Sequence, residues 1–196
     1  MGKIFCLMGK SSTGKDTIYK ALFEQNELGL KKIIPYTTRP IREGEQDGRE
    51  YHFCTEEQVR EFEKKDQIVE LRAYDTVYGV WKYFTVDDGQ IDLAKDSYLL
   101  IGTLETYAKI RSFYGDSQVV PIYIEVEDGE RLFRALTRER EQKKPGYTEL
   151  CRRFLSDTED FSEEKLKAAG ISVRFENRSF PDTVRVVSEY IKGQIS

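Results

Sequence analysis

The sequence predicts an α/β fold, a mainly parallel sheet core flanked by helices, interrupted by a small inserted α/β lobe and a charged lid. Three observations carry that expectation. Short apolar runs of strand length at residues 3–8, 98–101 and 119–124 are each followed by a segment with helical spacing. The first run feeds directly into a glycine-rich stretch, G-K-S-S-T-G-K-D-T, at residues 9–17. Residues 35–84 turn instead to short strand-like pieces around one helix. Strands that alternate with helices lie parallel and put the helices on the faces of the sheet.

Taken in order, residues 3–8 read as a buried strand, and residues 17–24 carry Ile18, Ala21 and Leu22 at helical spacing. In the lobe, residues 51–53, 68–71 and 78–84 are strand-like and residues 56–64 helical. Residues 98–101 and 119–124 are core strands. The run R-E-R-E-Q-K-K-P-G-Y, ending at Tyr147, is charged, poor in apolar residues and closed by Pro-Gly, the composition of a mobile lid. Residues 171–175 precede a last helix at 183–192. The expected division is one domain over 1–196, with core segments 1–34, 85–136 and 149–196, a lobe at about 35–84 and a lid at about 137–148.

Composition bounds the function. A chain of 196 residues suits one globular domain with a sizeable core, and 39% hydrophobic residues with 12 Tyr and 11 Phe argue for packing rather than disorder. A formal net charge of -4 gives no general attraction to nucleic acid or an anionic membrane, so any phosphate binding must be local. Ile4-Phe5-Cys6-Leu7-Met8 is too short for a signal peptide or a membrane span, and the start M-G-K-I-F-C lacks the Ser or Thr of a myristoylation signal. Cys6, Cys54 and Cys151 are odd in number and without metal-ligand spacing. The expectation is a cytoplasmic chain with small-molecule substrates, as a monomer or homodimer, without nucleic-acid or membrane partners.

The glycine-rich stretch matches G-x-x-x-x-G-K-[ST] except at its last position, where Asp16 stands. Gly9 and Gly14 permit backbone conformations that aim successive N–H groups inward, and the helix that follows offers its positive N-terminus to an anion. A strand before it and a helix after it are the context that this motif requires, so the core reads as P-loop NTPase-type. Gly9, Lys10, Ser11, Ser12, Thr13, Gly14, Lys15, Asp16 and Thr17 are the candidate cradle for ATP phosphates, with Lys15 the catalytic charge. The plain alternative is a turn before a helix. Asp16 is a candidate Mg2+ ligand, because a carboxylate is a hard oxygen donor; its plain alternative is a cap on the first helical turn.

A second informative stretch, Y-T-T-R-P-I-R-E-G-E-Q-D-G-R-E-Y-H-F, spans residues 36–53. Arg39 and Arg42 flank a proline that fixes the backbone, and Tyr51 follows a turn-rich segment; two guanidinium forks and a phenol make a monophosphate clamp. Arg131, Arg134 and Arg138 share one helical stripe opposite Leu132 and Leu136. Such stripes are ordinarily solvated, but the adjoining lid gives Arg138 a candidate phosphate role. Trp81 reads as a plain core aromatic and His52 as a structural strand residue.

This second stretch resembles the acceptor-binding signature of the guanylate kinase family, T-T-R-x-x-R-x-G-E-x-x-G-x-x-Y-x-F, from Thr37 to Phe53 without a gap. The resemblance implies transfer of phosphate from ATP, with Mg2+, to a nucleoside monophosphate, GMP first. It further implies that Glu70 reads guanine beside the pair Tyr78-Gly79, here one residue closer than in the family. Arg153, in Arg152-Arg153-Phe154, looks like a lid-base arginine that meets the phosphates, and Asn177 looks like the asparagine near the adenine. A carboxylate at position 70 can accept from the N1–H and amino edge of guanine and would face lone pairs on adenine. Three departures stand out: Pro35 in place of a serine at the acceptor phosphate, Val80 in place of a guanine-reading hydroxyl, and Leu99-Leu100-Ile101-Gly102-Thr103 without the family's two aspartates. A kinase of the same architecture with another nucleotide or sugar phosphate as acceptor therefore stays open, as does a non-catalytic binding module, which intact Gly14-Lys15 disfavours.

Overall fold

The structure, a computed structural model, describes residues 1–76 and 79–195. Its centre is β1 (Ile4–Met8), whose five side chains have no exposure to solvent. A continuous apolar run suits a strand covered on both faces, and each large side chain so buried contributes about 1.5–3 kcal/mol. β1 lies between β7 (Ser97–Ile101) and β8 (Val119–Glu125); β2 (Leu30–Lys32) and β9 (Arg174–Glu176) form the edges. All four pairings are parallel, in the order β2-β7-β1-β8-β9.

Alternation along β1 divides the core. Phe5 and Leu7 pack with Ile18 and Leu22 of α1 (Lys15–Glu24) and Val187 and Ile191 of α7 (Phe180–Ile195). Ile4, Cys6 and Met8 pack on the other face with Tyr107 and Ile110 of α3 (Leu104–Tyr114). The result is three layers with β1 delivering the glycine-rich loop at its C-terminal end, where parallel sheets hold their ligands.

Residues 36–86 build a second sheet in the order β4-β3-β6-β5. It comprises β3 (Tyr36–Thr37), β4 (His52–Phe53), β5 (Ile68–Thr76) and β6 (Gly79–Val86). α2 (Glu56–Lys64) begins with a reciprocal cap between Thr55 and Gln58 and buries Val59 against Phe84 and Val86. β5 and β6 form a long antiparallel ribbon, whereas the sequence suggested a strand only to residue 71. Its outer half carries Arg72, Tyr74 and Asp75, whose polarity hides a strand that faces an open cleft.

α4 (Asp128–Arg140) and α5 (Tyr147–Asp160) form a helical hairpin, followed by α6 (Glu163–Ala168). The stretch expected as a lid at 137–148 is thus the hairpin's tip, with helix running into it from both sides. Only the start of the arginine stripe of α4 is turned inward: Arg131 is 1% exposed, Arg134 is half-buried and Arg138 is exposed, while Leu132 and Leu136 also face solvent. The last strand starts at Arg174 rather than 171 because Gly170, just past the end of α6, takes φ 75°, and Ile171 folds back so that its N–H donates to Leu166 O at 3.0 Å.

Candidate active site

The loop is held in shape from several sides. Gly9 (φ 157°) has no room for a side chain: a Cβ would stand 2.6 Å from the carbonyl oxygen of Ile124. Gly14 (φ 84°) opens α1, and a Cβ there would stand 2.6 Å from Nδ2 of Asn177. Thr13 is buried and its hydroxyl donates to Lys10 O at 2.9 Å. Asn177, also buried, donates from Nδ2 to Thr13 O at 2.8 Å and accepts from the Thr183 hydroxyl at 3.2 Å. Its amide turns to the underside of the loop and braces it, so Asn177 shapes the cradle. Lys10 likewise turns away, its Nζ pairing with Asp128 at 3.2 Å.

Lys15 and Asp16, with Gly9, line a cleft of about 880 Å³ between the two sheets. Lys15 is half-buried, whereas Asp16 and Thr17 are exposed, and Thr17 is outside the cleft wall. The Asp16 carboxylate makes no hydrogen bond or ion pair with the described residues, which leaves it free to take up a cation. Among the described residues no group of three or more acidic, His or Cys side chains could hold a metal alone. A single carboxylate beside the loop is a donor set that magnesium can use, since that ion typically takes one or two carboxylates and completes its shell from phosphates and water.

The opposite wall is one face of the β5–β6 ribbon. A register shift between Ile68 and Glu70 re-aims the strand, and beyond it Glu70 pairs with Thr85, Arg72 with Tyr83 and Tyr74 with Trp81. All six of these side chains line the cleft. Glu70 is 2% exposed; Oε1 accepts from the Thr85 hydroxyl at 3.1 Å and Oε2 from Nε of Arg72 at 3.2 Å. Val80 pairs with Asp75 and, by alternation, belongs to the other face of the ribbon. It is not part of the cleft wall, whereas its neighbour Trp81 is. Tyr78 lies outside the described residues.

The proposed phosphate clamp is only partly assembled. Tyr51 lines the cleft, but Arg39 and Arg42 do not. Arg39 is buried and meets Glu45 through two hydrogen bonds of 2.7 and 2.6 Å, with its guanidinium 5.1 Å above the Tyr51 ring. That guanidinium, seconded by the amide of Arg42, holds the Glu45 carboxyl down at about 2. The Arg42 side chain is exposed. Motif spacing identifies which cations are close together, but not that a carboxylate of the same motif has already engaged one.

On the loop's far side, a smaller cavity of about 330 Å³ separates it from α4 and α5. Arg138 lines it and donates to the Ser12 hydroxyl at 3.3 Å. Arg153 lines both cavities and donates to Glu149 at 2.9 Å. Sequence reasoning missed Asp157, one turn beyond Arg153. Its Oδ2 accepts from the loop amide of Ser11 at 2.7 Å and from Arg131 Nη1 at 3.1 Å. A carboxylate on a loop amide marks that amide as an anion donor. The wall at the end of β7 is uncharged, formed by Gly102 and Thr103, so no acid elsewhere on the strand replaces the absent aspartates.

Comparison with known proteins agrees with this layout. The guanylate kinase family model matches residues 1–191. Guanylate kinase of Dechloromonas aromatica is 31% identical over 137 residues, covering 69% of this chain and 65% of that protein. The guanylate kinase of Caldanaerobacter subterraneus subsp. tengcongensis is 41% identical over 86 residues, 43% of this chain and 41% of that protein. The matched segments thus span about two fifths to two thirds of these relatives' own length. Among solved structures, a guanylate kinase from Anaplasma phagocytophilum superposes with a TM-score of 0.68 at 20% identity, covering 98% of this chain and 86% of the other. A gluconokinase from Sinorhizobium meliloti 1021 gives 0.51 at 13% identity, covering 98% and 92%, and shares the fold. With its loop, its second sheet and a family match over nearly its whole length, the chain belongs to the guanylate kinase family.

Proposed function

We propose that this protein transfers the γ-phosphoryl group of ATP to a nucleoside monophosphate, GMP first, giving ADP and GDP. One observation carries the reading: a single cleft is lined by Lys15 and Asp16 from the loop, Tyr51 and Glu70 from the second sheet, and Arg153 from the hairpin. Donor and acceptor groups thus have a common space, and phosphoryl transfer asks of a protein chiefly positioning and charge.

The loop amides and Lys15 hold the donor phosphates, and Arg138 and Arg153 approach them from the hairpin. Tyr51 meets the acceptor phosphate, with Arg39 stiffened behind it by Glu45; Glu70 takes the N1–H and amino edge of guanine. Asp16 is the residue that would hold magnesium on the protein side, and the ion would supply positive charge to the transferring phosphates. Closure of α4 and α5 over the cleft excludes water and so suppresses hydrolysis. A related kinase with another acceptor is the second reading, favoured by the uncharged wall at Gly102 and Thr103.

The test is ADP release coupled to a panel of GMP, AMP, CMP, UMP and sugar monophosphates. Fastest turnover with GMP supports the reading. Turnover only with a sugar phosphate, or ATP hydrolysis indifferent to every acceptor, overturns it.

A further inference from the structure

Arg72 has no role in the reading above, yet it stands in the acceptor wall. On β5 it is two residues from Glu70 on the same face, and both side chains line the cleft. Only Nε of Arg72 engages Glu70, at 3.2 Å, and the Arg72 side chain keeps 21% exposure. No described residue accepts from its two terminal nitrogens. Beside it on the ribbon stands its cross-strand partner Tyr83, with the Tyr51 and Tyr74 rings each 5.7 Å from the Tyr83 ring. The wall therefore presents a carboxylate and a half-engaged guanidinium side by side, next to flat aromatic surface.

Guanine presents the matching order along its rim: two N–H donors at N1 and the 2-amino group, then two acceptors at O6 and N7. Glu70 complements the first pair, and a guanidinium fork complements the second. Adenine puts an amino donor at position 6, where it would meet the donors of the fork. Val80 offers no hydroxyl on this face, so Arg72 is the donor that the wall has in its place.

Resting on the kinase reading, we propose that Arg72 is a specificity-determining residue. Its terminal nitrogens donate to the O6 and N7 rim of a 6-oxopurine monophosphate while Glu70 accepts from N1–H and, in guanine, the 2-amino group. The acceptor class is then GMP together with IMP, which shares O6, N7 and N1–H. The alternative role for Arg72 is indirect: holding the buried Glu70 in place.

The experiment measures kcat/KM for GMP, IMP and AMP with wild type, Arg72→Met, Glu70→Gln and the double variant, with thermal unfolding as a check on folding. Arg72→Met is expected to lower GMP and IMP alike by about 10- to 100-fold, the range of one lost bidentate contact, while AMP does not fall and the KM for ATP stays unchanged. The loss must persist in the Glu70→Gln background. A loss that vanishes there shows that Arg72 only positions Glu70 and overturns the proposal, as does an unchanged ratio of GMP to AMP. Wild-type turnover with GMP separates the two levels of the argument: its absence removes the kinase reading and this proposal together, whereas its presence with an unaltered ratio removes the role of Arg72 alone.

Discussion

The carboxylate of Asp157 accepts a hydrogen bond of 2.7 Å from the backbone amide of Ser11, in the glycine-rich loop. A carboxylate on that amide competes with an incoming phosphate for the same proton and repels it by charge. Asp157→Asn keeps the shape of the side chain and removes the charge. ATP should then bind several-fold more tightly, measured by titration calorimetry, with some loss of thermal stability because the buried Arg131 loses an ionic partner. Weaker ATP binding in this variant would show that Asp157 supports the loop rather than competes for it.

Lys15 lines the cleft without a partner among the described residues. Its charge is available to the transferring group, and its removal leaves no buried ion uncompensated. Lys15→Ala should lower kcat by at least about a hundredfold with little change in unfolding temperature. Turnover within a few-fold of wild type would contradict the role given to it.

Glu45 provides a test with a defined sign. Its folded value of about 2 is below the usual 4.5, so the Arg39–Glu45 pair stabilises the protein fully above pH 4.5 and progressively less as the pH falls toward 2. Unfolding temperatures of wild type and Glu45→Gln should differ by a constant amount from pH 7 to about 5, and the gap should close on further acidification. A gap as wide at pH 2 as at pH 7 would mean that the pair is not what separates the two proteins.

Asp16 separates cap from metal ligand. Asp16→Asn should raise the magnesium concentration for half-maximal turnover several-fold at fixed ATP, with stability nearly unchanged. Superimposable titrations would reduce Asp16 to a favourable charge at a helix start.

The loop and the parallel core were legible in the sequence because their physics is local. Gly9 and Gly14 stand where a Cβ would collide or strain the backbone, and β1 is an unbroken apolar run. Asp157 was not legible, because it meets Ser11 across 146 positions from within a charged helix. The Arg39–Glu45 pair sat inside a recognised motif, but spacing alone does not say which ions are already paired. Arg72 left a trace: Glu70, Arg72 and Tyr74 alternate along β5, a pattern that a register shift at its start turns toward the cleft. The arginine stripe of α4 was legible but the burial of Arg131 was not, since periodicity finds two faces of a helix without saying which one is covered.

The central claim is that the cleft joins a loop-bound ATP to a guanine nucleotide. Its most direct measurement is a competition: ATP labelled in the γ-phosphate is given to the protein with equal concentrations of GMP, AMP, CMP and UMP, and the labelled diphosphates are separated. Label should collect in GDP, and Lys15→Ala should abolish it. Label spread evenly over the four diphosphates, or appearing only as inorganic phosphate, would contradict the account.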